Sequence, residues 1–336
     1  MRLLNRELND MQTKKIVFAG SPEIAVPSLE ALAEAQISGV GWRLCAVLSN
    51  ADTPKGRSGI PTPCAVKAAA EKVSAKLEAS GFEPLKLVKD FELVPEADLL
   101  VCFAFGKIFP AEFIARFSLG GINVHPSLLP KYRGAAPIQQ ALLNMERETG
   151  LSIQRLAAKL DSGAILAQEK LVLDGTETSA RLSVLMAELS AKILPETVAA
   201  ICSGTVKETK QDEAQATYCR QFKKTDGLIN WNKTANEIDA QIRAFTPWPL
   251  SWSFCSGKQI LILEGRAAPD SAALSCKSDA SPCGTVLGVD KELGIIIKTG
   301  GGVFIASRLQ WSGRKALDWK EFLNGSRSFI GVTLGN

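Results

Sequence analysis

Four short apolar runs in the first 125 residues, interleaved with helical patterns, leave this chain few folds to choose from. Lys15-Ile16-Val17-Phe18-Ala19-Gly20 ends in glycine, and Pro22 to Ala35 then places Ile24, Leu29 and Leu32 at helical spacing. Leu44-Cys45-Ala46-Val47-Leu48 is a second run, and Ala65 to Ala79 has a helical pattern. Asp98-Leu99-Leu100-Val101-Cys102-Phe103 and Gly121-Ile122-Asn123-Val124-His125 are the third and fourth. Runs this apolar read as strands covered on both faces, and strands that alternate with helices pair in parallel. The expected fold class is therefore α/β, with a Rossmann-like N-terminal domain. Its first turn, Gly20-Ser21-Pro22-Glu23, has no Gly-x-Gly-x-x-Gly pattern, so the dinucleotide cradle is absent.

The texture changes in the second half. Leu151 to Leu156 and Ile165 to Leu173 read as a strand pair, and Ser179 to Ile201 as a long amphipathic helix that Ser203-Gly204 ends. Lys207 to Gln215 is polar and reads as a linker. Beyond it, short β runs at Ser251 to Phe254, Gln259 to Leu263, Gly284 to Val289, Gly294 to Lys298 and Gly302 to Ala306 are separated by Gly, Pro and Ser clusters, the spacing of a small β-barrel. At 336 residues the chain exceeds a single compact core. The expected division is an extension over residues 1–13, in which Met11 is a second candidate start, a catalytic domain over 14–204, a linker over 205–222 and a barrel domain over 223–336.

A net charge of +4 permits a polyanionic partner without demanding one. No run approaches the roughly 18 apolar residues that span a bilayer, and the charged N-terminus is no secretory signal, so no membrane partner and a cytoplasmic location are expected. The cysteines at 45, 64, 102, 202, 219, 255, 276 and 283 form no Cys-x-x-Cys pair, and His125 is the sole histidine, so reduced thiols and no metal site are expected.

That histidine sits in Asn123-Val124-His125-Pro126-Ser127-Leu128-Leu129-Pro130. In a strand, Ile122 and Val124 point one way while Asn123 and His125 point the other, and Pro126 stops the ladder. Two polar groups then stand at a carboxyl strand end, where open α/β sheets bind ligands. Further along, Asp161 lies in the glycine-containing turn Lys159-Leu160-Asp161-Ser162-Gly163-Ala164. By itself it reads as a surface turn residue. With Asn123 and His125 it completes a set of amide, imidazole and carboxylate that lacks a nucleophile, and such a set suits acyl transfer to an amine carried by the substrate.

These strings, with Tyr132-Arg133-Gly134-Ala135-Ala136-Pro137-Ile138 and Leu160-Asp161-Ser162-Gly163, resemble the formyltransferase family that uses 10-formyltetrahydrofolate, over nearly the whole chain from about Lys14. Within it the chain is most similar to the branch that formylates aminoacyl-tRNA. The resemblance implies 10-formyltetrahydrofolate as donor, initiator methionyl-tRNA as partner, a monomer, and a C-terminal barrel similar to an OB-fold. It implies that Asn123 and His125 are transition-state donors, that Asp161 is the essential carboxylate, and that Ser127, Leu128, Leu129 and Pro130 contact folate. Pro126 departs from relatives that carry glycine there.

The resemblance also turns the loop from Ala51 to Pro61 into a tRNA-binding insertion, with Lys55 and Arg57 as its basic tip, although composition alone reads it as a solvated loop. Lys223, Lys224, Arg314 and Lys315 are further basic candidates, on spacing only. Trp248, set between Pro247 and Pro249, is expected to pack in a core or interface rather than stack on nucleotides. Three alternatives share parts of this reading: a sugar-nucleotide formyltransferase, a formyl-folate hydrolase, and a non-catalytic RNA-binding protein on the same scaffold.

Overall fold

The computed structural model describes residues 13–54, 59, 61–268 and 280–335. The first apolar run forms strand β1 (Lys14–Gly20), buried over its last five residues. Helix α1 (Val26–Ile37) has Pro27 in its first turn, where a missing N–H costs no intrahelical bond. There follow β2 (Trp42–Leu48), the short ribbon of β3 (Thr53–Pro54) and β4 (Pro61–Thr62), the Ala-rich helix α2 (Ala65–Ala79), and β5 (Lys86–Val88). Then come β6 (Leu99–Phe103), α3 (Ala111–Ile114), β7 (Gly121–His125), β8 (Arg133–Gly134), α4 (Pro137–Leu143), β9 (Glu148–Arg155), β10 (Ile165–Val172) and α5 (Ser179–Cys202). After β11 (Tyr218–Cys219) the chain forms α6 (Ala235–Phe245), β12 (Ser251–Cys255), β13 (Lys258–Ala267), β14 (Val286–Asp290), β15 (Gly294–Lys298), β16 (Val303–Trp311), β17 (Leu317–Asp318) and α7 (Trp319–Asn324).

The chain divides into two compact units. The first holds residues up to Gly134, Glu148–Val172 and Ser183–Tyr218; the second holds Ala135–Arg147, Leu173–Leu182 and Cys219–Asn336. In the first, a seven-stranded sheet runs in the order β10-β9-β7-β6-β1-β2-β5. Its members from β5 to β7 are parallel, and β9 and β10 add an antiparallel margin. The parallel strands β2, β1, β6 and β7 are therefore interior and mostly apolar, as the sequence requires, while the short parallel strand β5 forms the opposite edge. One face of this sheet packs on an aromatic row, Phe105, Phe109, Phe113 and Phe117, at four-residue spacing. At the end of β1 a side chain in place of the Gly20 hydrogen would strike the Phe103 carbonyl at 2.9 Å, so glycine lets β1 and β6 approach there.

The second unit carries a six-stranded antiparallel sheet, β12-β13-β16-β15-β14 with β17 on β16, and so is an antiparallel β domain. Strands β13 and β16 run several residues beyond the expected Gln259–Leu263 and Gly302–Ala306. Register shifts around Glu264 let polar and apolar residues alternate to the end of the ladder, so the apolar run marks only part of each strand. Helix α6 lays Ile238 and Ile242 into this core, and a capping box fixes its start: Thr234 Oγ1 accepts from Glu237 N, and Thr234 N donates to Glu237 Oε2. Of the two placements expected for Trp248, the core is ruled out, for the residue is 47% exposed. The prolines on either side have no N–H to give, which keeps the α6–β12 connection out of the sheet.

Among the described residues Cys45, Cys64, Cys102, Cys202, Cys219, Cys255 and Cys283 are free thiols. No described helix is long and apolar enough to cross a membrane.

Candidate active site

Strand β7 runs parallel to β6 and antiparallel to β9, a register that sets Asn123 beside Cys102 and opposite Gln154, and His125 opposite Ser152. Directly opposed residues present their side chains on the same face, and here both amides converge on Asp161. Gln154 Nε2 donates to Asp161 Oδ1 at 2.9 Å, and Asn123 Nδ2 to the same oxygen at a long 3.4 Å. The other carboxylate oxygen accepts from Gly134 N at 2.9 Å and lies 3.7 Å from His125 Nδ1. Asn123, His125 and Asp161 thus meet as the sequence pattern anticipates, with the imidazole and carboxylate side chains only 5% and 9% exposed.

The tautomer of His125 follows from its neighbours. Nε2 lies 2.9 Å from the Tyr132 carbonyl, which can only accept, so Nε2 carries a proton. A neutral ring then presents its unprotonated Nδ1 toward Asp161. It can donate from that side only as imidazolium.

Asp161 sits at φ +48°, in the left-handed region that a short polar side chain tolerates. Two residues on, Gly163 has no room for a Cβ, which would fall 1.8 Å from the Arg155 carbonyl. The turn is held from below by groups that sequence patterns do not mark. Gln211 Nε2 is shared among the Asp161 and Gly163 carbonyls and Gln154 Oε1, at 3.0, 2.7 and 3.1 Å. Gln211 Oε1 accepts from Arg133 Nε and Nη2, and the fully buried Arg133 guanidinium is clamped by both oxygens of Glu213. Lys159 Nζ adds a bond to Glu213 at 2.7 Å. The Arg133 bond, foremost, and then that of Lys159 hold the Glu213 carboxyl down at about 2. The stretch expected as a linker therefore sends Gln211 beneath the site. The one signal for Gln154 is a polar residue inside an otherwise buried strand.

Of the expected folate loop, Ser127 and Leu129 are buried, whereas Leu128 and Pro130 are half-buried. Ser152 Oγ organises it, donating to the Ser127 carbonyl at 2.6 Å while accepting from Leu129 N and Gln168 Nε2. Ser127 Oγ donates to the Lys131 carbonyl. The carbonyls of Ser127, Leu128, Leu129 and Pro130 all accept protein donors, from Ser152 Oγ, Lys131 N, Gln168 Nε2 and Thr217 N. The Leu128 and Pro130 side chains and the second lone pairs of these carbonyls are among the groups a ligand could use.

Lys55 and Arg57 lie outside the described residues. The base of their loop is described: β3 pairs with β4, and Lys67 Nζ bonds both Asp52 oxygens at 2.9 and 2.8 Å. Beside it, at the carboxyl ends of β2 and β5, is a cleft of about 460 Å³ lined by Ser49, Asn50, Asp52, Lys67 and Lys89, among others. It includes none of Asn123, His125 and Asp161, and it offers no comparable convergence of donors and acceptors. Chemistry, not volume, makes the end of β7 the candidate site. Among the described residues no cluster of three His, Cys, Asp or Glu side chains is arranged to hold a metal ion.

Residues 14–198 match the formyl transferase family and residues 221–327 match the formyl transferase C-terminal domain. The chain is 40% identical over 323 residues to a methionyl-tRNA formyltransferase of Treponema denticola, covering 94% of this chain and 98% of that one. It is 36% identical over 326 residues to the methionyl-tRNA formyltransferase of Coxiella burnetii, with 95% and 98% covered. The chain belongs to the methionyl-tRNA formyltransferase family. The family's two-domain fold is also shared with more distant solved structures. A sugar 3N-formyl transferase aligns at TM-score 0.59 and 23% identity over 90% of this chain and 99% of that one. An N-formyltransferase from Helicobacter canadensis aligns at TM-score 0.60 and 20% identity, over 88% and 98%.

Proposed function

We propose that this chain transfers the formyl group of 10-formyltetrahydrofolate to the amino group of methionine on initiator methionyl-tRNA, as a cytoplasmic monomer, with Asn123, His125 and Asp161 as the acting residues. One observation carries the reading: an amide donor, an imidazole and a carboxylate converge at a strand end with no side-chain nucleophile among them. Such a site has to work on a nucleophile brought by a substrate, and relatives of nearly full length carry the name of that reaction.

The donor set fits a formyl amide. The Asn123 amide has two hydrogens, one directed at Asp161 and one left for an oxygen on which negative charge develops. His125, anchored through Nε2–H, offers unprotonated Nδ1 to the proton that the amine gives up once it has attacked the formyl carbon, and the protonated ring can return that proton to folate N10 as the formyl–N10 bond breaks. The Asp161 carboxylate faces the imidazolium so formed and offsets its charge. Leu128 and Pro130 are the side chains that would hold the folate, which when bound supplies the activated N-formyl carbonyl.

The test is transfer of labelled formyl from 10-formyltetrahydrofolate to methionyl-tRNA and, in parallel, to a sugar-nucleotide amine. Labelling of the tRNA alone is expected. Labelling of the sugar nucleotide alone would overturn the assignment.

A further inference from the structure

The network that clamps the Asp161 turn also holds up an aromatic ring for which the catalytic scheme has no use. Tyr218, on β11, is 58% exposed, an unusual placement for a ring whose hydroxyl is fixed. Its oxygen accepts from Arg133 Nη1 at 3.3 Å, and the Arg133 guanidinium carbon stands 5.9 Å from the ring centroid. Strand β11 pairs with β8, whose Gly134 N–H holds Asp161, and Lys159 lies two residues before Asp161. The ring is thus fixed at one edge, backed by a buried cation and flanked by the exposed Lys159, whose ammonium also pairs with Glu213, with more than half the tyrosine's surface offered to solvent.

We propose that Tyr218 is a stacking platform for an unpaired base at the single-stranded end of the RNA substrate, with Lys159 placed to meet the adjoining phosphate. This rests on the functional reading above. An aromatic face accepts any base, because every base has a π surface, and a cation beside the ring suits the phosphate that accompanies it. The ring adjoins the Asp161 turn through Lys159, and the same turn carries the carboxylate that faces His125 Nδ1. The substrate that brings the amine there is the aminoacyl end of the tRNA. A folate ring is the competing occupant, and the test separates the two.

Methionyl-tRNA carrying 2-aminopurine in place of its terminal adenine is titrated with the enzyme, and steady-state constants are measured for both substrates. Wild type and Tyr218→Phe are expected to quench the 2-aminopurine fluorescence, since both keep a ring. Tyr218→Leu is expected to lose the quench and to raise the methionyl-tRNA KM by roughly 5- to 150-fold, the range that base–aromatic stacking spans, with the folate KM unmoved. A raised folate KM with an unchanged tRNA KM in Tyr218→Leu would assign the ring to folate and overturn the proposal. So would absence of quenching by wild type, a result that does not depend on the variants folding. Quenching by a wild type that fails to formylate the tRNA would sink the functional reading and leave the platform standing.

Discussion

Asn123 has two amide hydrogens, and the long 3.4 Å contact with Asp161 engages one of them weakly. In the role proposed for Asn123, the other would strengthen its bond as charge develops on the formyl oxygen, a contribution of rate rather than of binding. Asn123→Ala is therefore expected to lower kcat by roughly 10² to 10³, the cost of one oxyanion donor, with little change in either KM. A near-normal kcat would remove Asn123 from that role. Its neighbour across the ladder gives a second check. Burial, the largest cause, pushes the Cys102 thiol up to about 12, and the Asp161 charge acts in the same direction. Only about 10⁻⁴ of it would be thiolate at pH 8. Iodoacetamide at that pH is expected to leave Cys102 unlabelled in the native enzyme and to label it on unfolding, as read by peptide mass mapping; equal labelling in both states would contradict its placement.

At the scale of elements, the site depends on two registers and one turn. Pairing of β7 with β9 sets Asn123 against Gln154, and a slip of one residue in β9 would turn Gln154 to the other face and away from Asn123. This part was legible: period-two alternation in Gly121–His125 marked the strand, Pro126 its end, and the alternation of apolar strands with helices the parallel sheet. The support beneath Asp161 was not. Arg133 meets Gln211 and Glu213 across 78 and 80 residues, and no local pattern encodes a contact of that separation. Glu213 titrates in a window that tests this support. Its carboxyl is near 4.5 when unperturbed and about 2 in the fold, lowered first by Arg133 and then by Lys159. A depressed folded value adds stability that is fully present above about 4.5 and lost as pH falls toward about 2. The half-exposed side chain keeps the effect modest. In urea unfolding the gap between wild type and Glu213→Gln should hold steady above pH 6 and narrow between about 4.5 and about 2; a gap independent of pH would show that the ion pair does not form.

For the whole molecule, the decisive quantity is how the charge meets an RNA. With 39 basic residues against 35 acidic ones, the chain cannot bind tRNA through its overall field and must rely on a few placed cations. Lys223, Lys224, Arg314 and Lys315 are all exposed in the second unit, where the sequence offered them on spacing alone. Each phosphate neutralised on duplex RNA should change the logarithmic salt dependence of affinity by about 0.9, taking the B-DNA value as a guide. A rise from about 50 to about 200 mM salt then weakens binding by roughly 3.5-fold per contact. Where KM follows binding, the methionyl-tRNA KM should climb steeply over that range and the 10-formyltetrahydrofolate KM only slightly. Replacing Arg314 and Lys315 together by Gln should raise the tRNA KM at low salt and flatten its salt slope by up to about 2 if both touch phosphate. A slope the same as wild type would remove this pair from the RNA surface and leave the acceptor contact to the remaining cations, Lys55 and Arg57 among them.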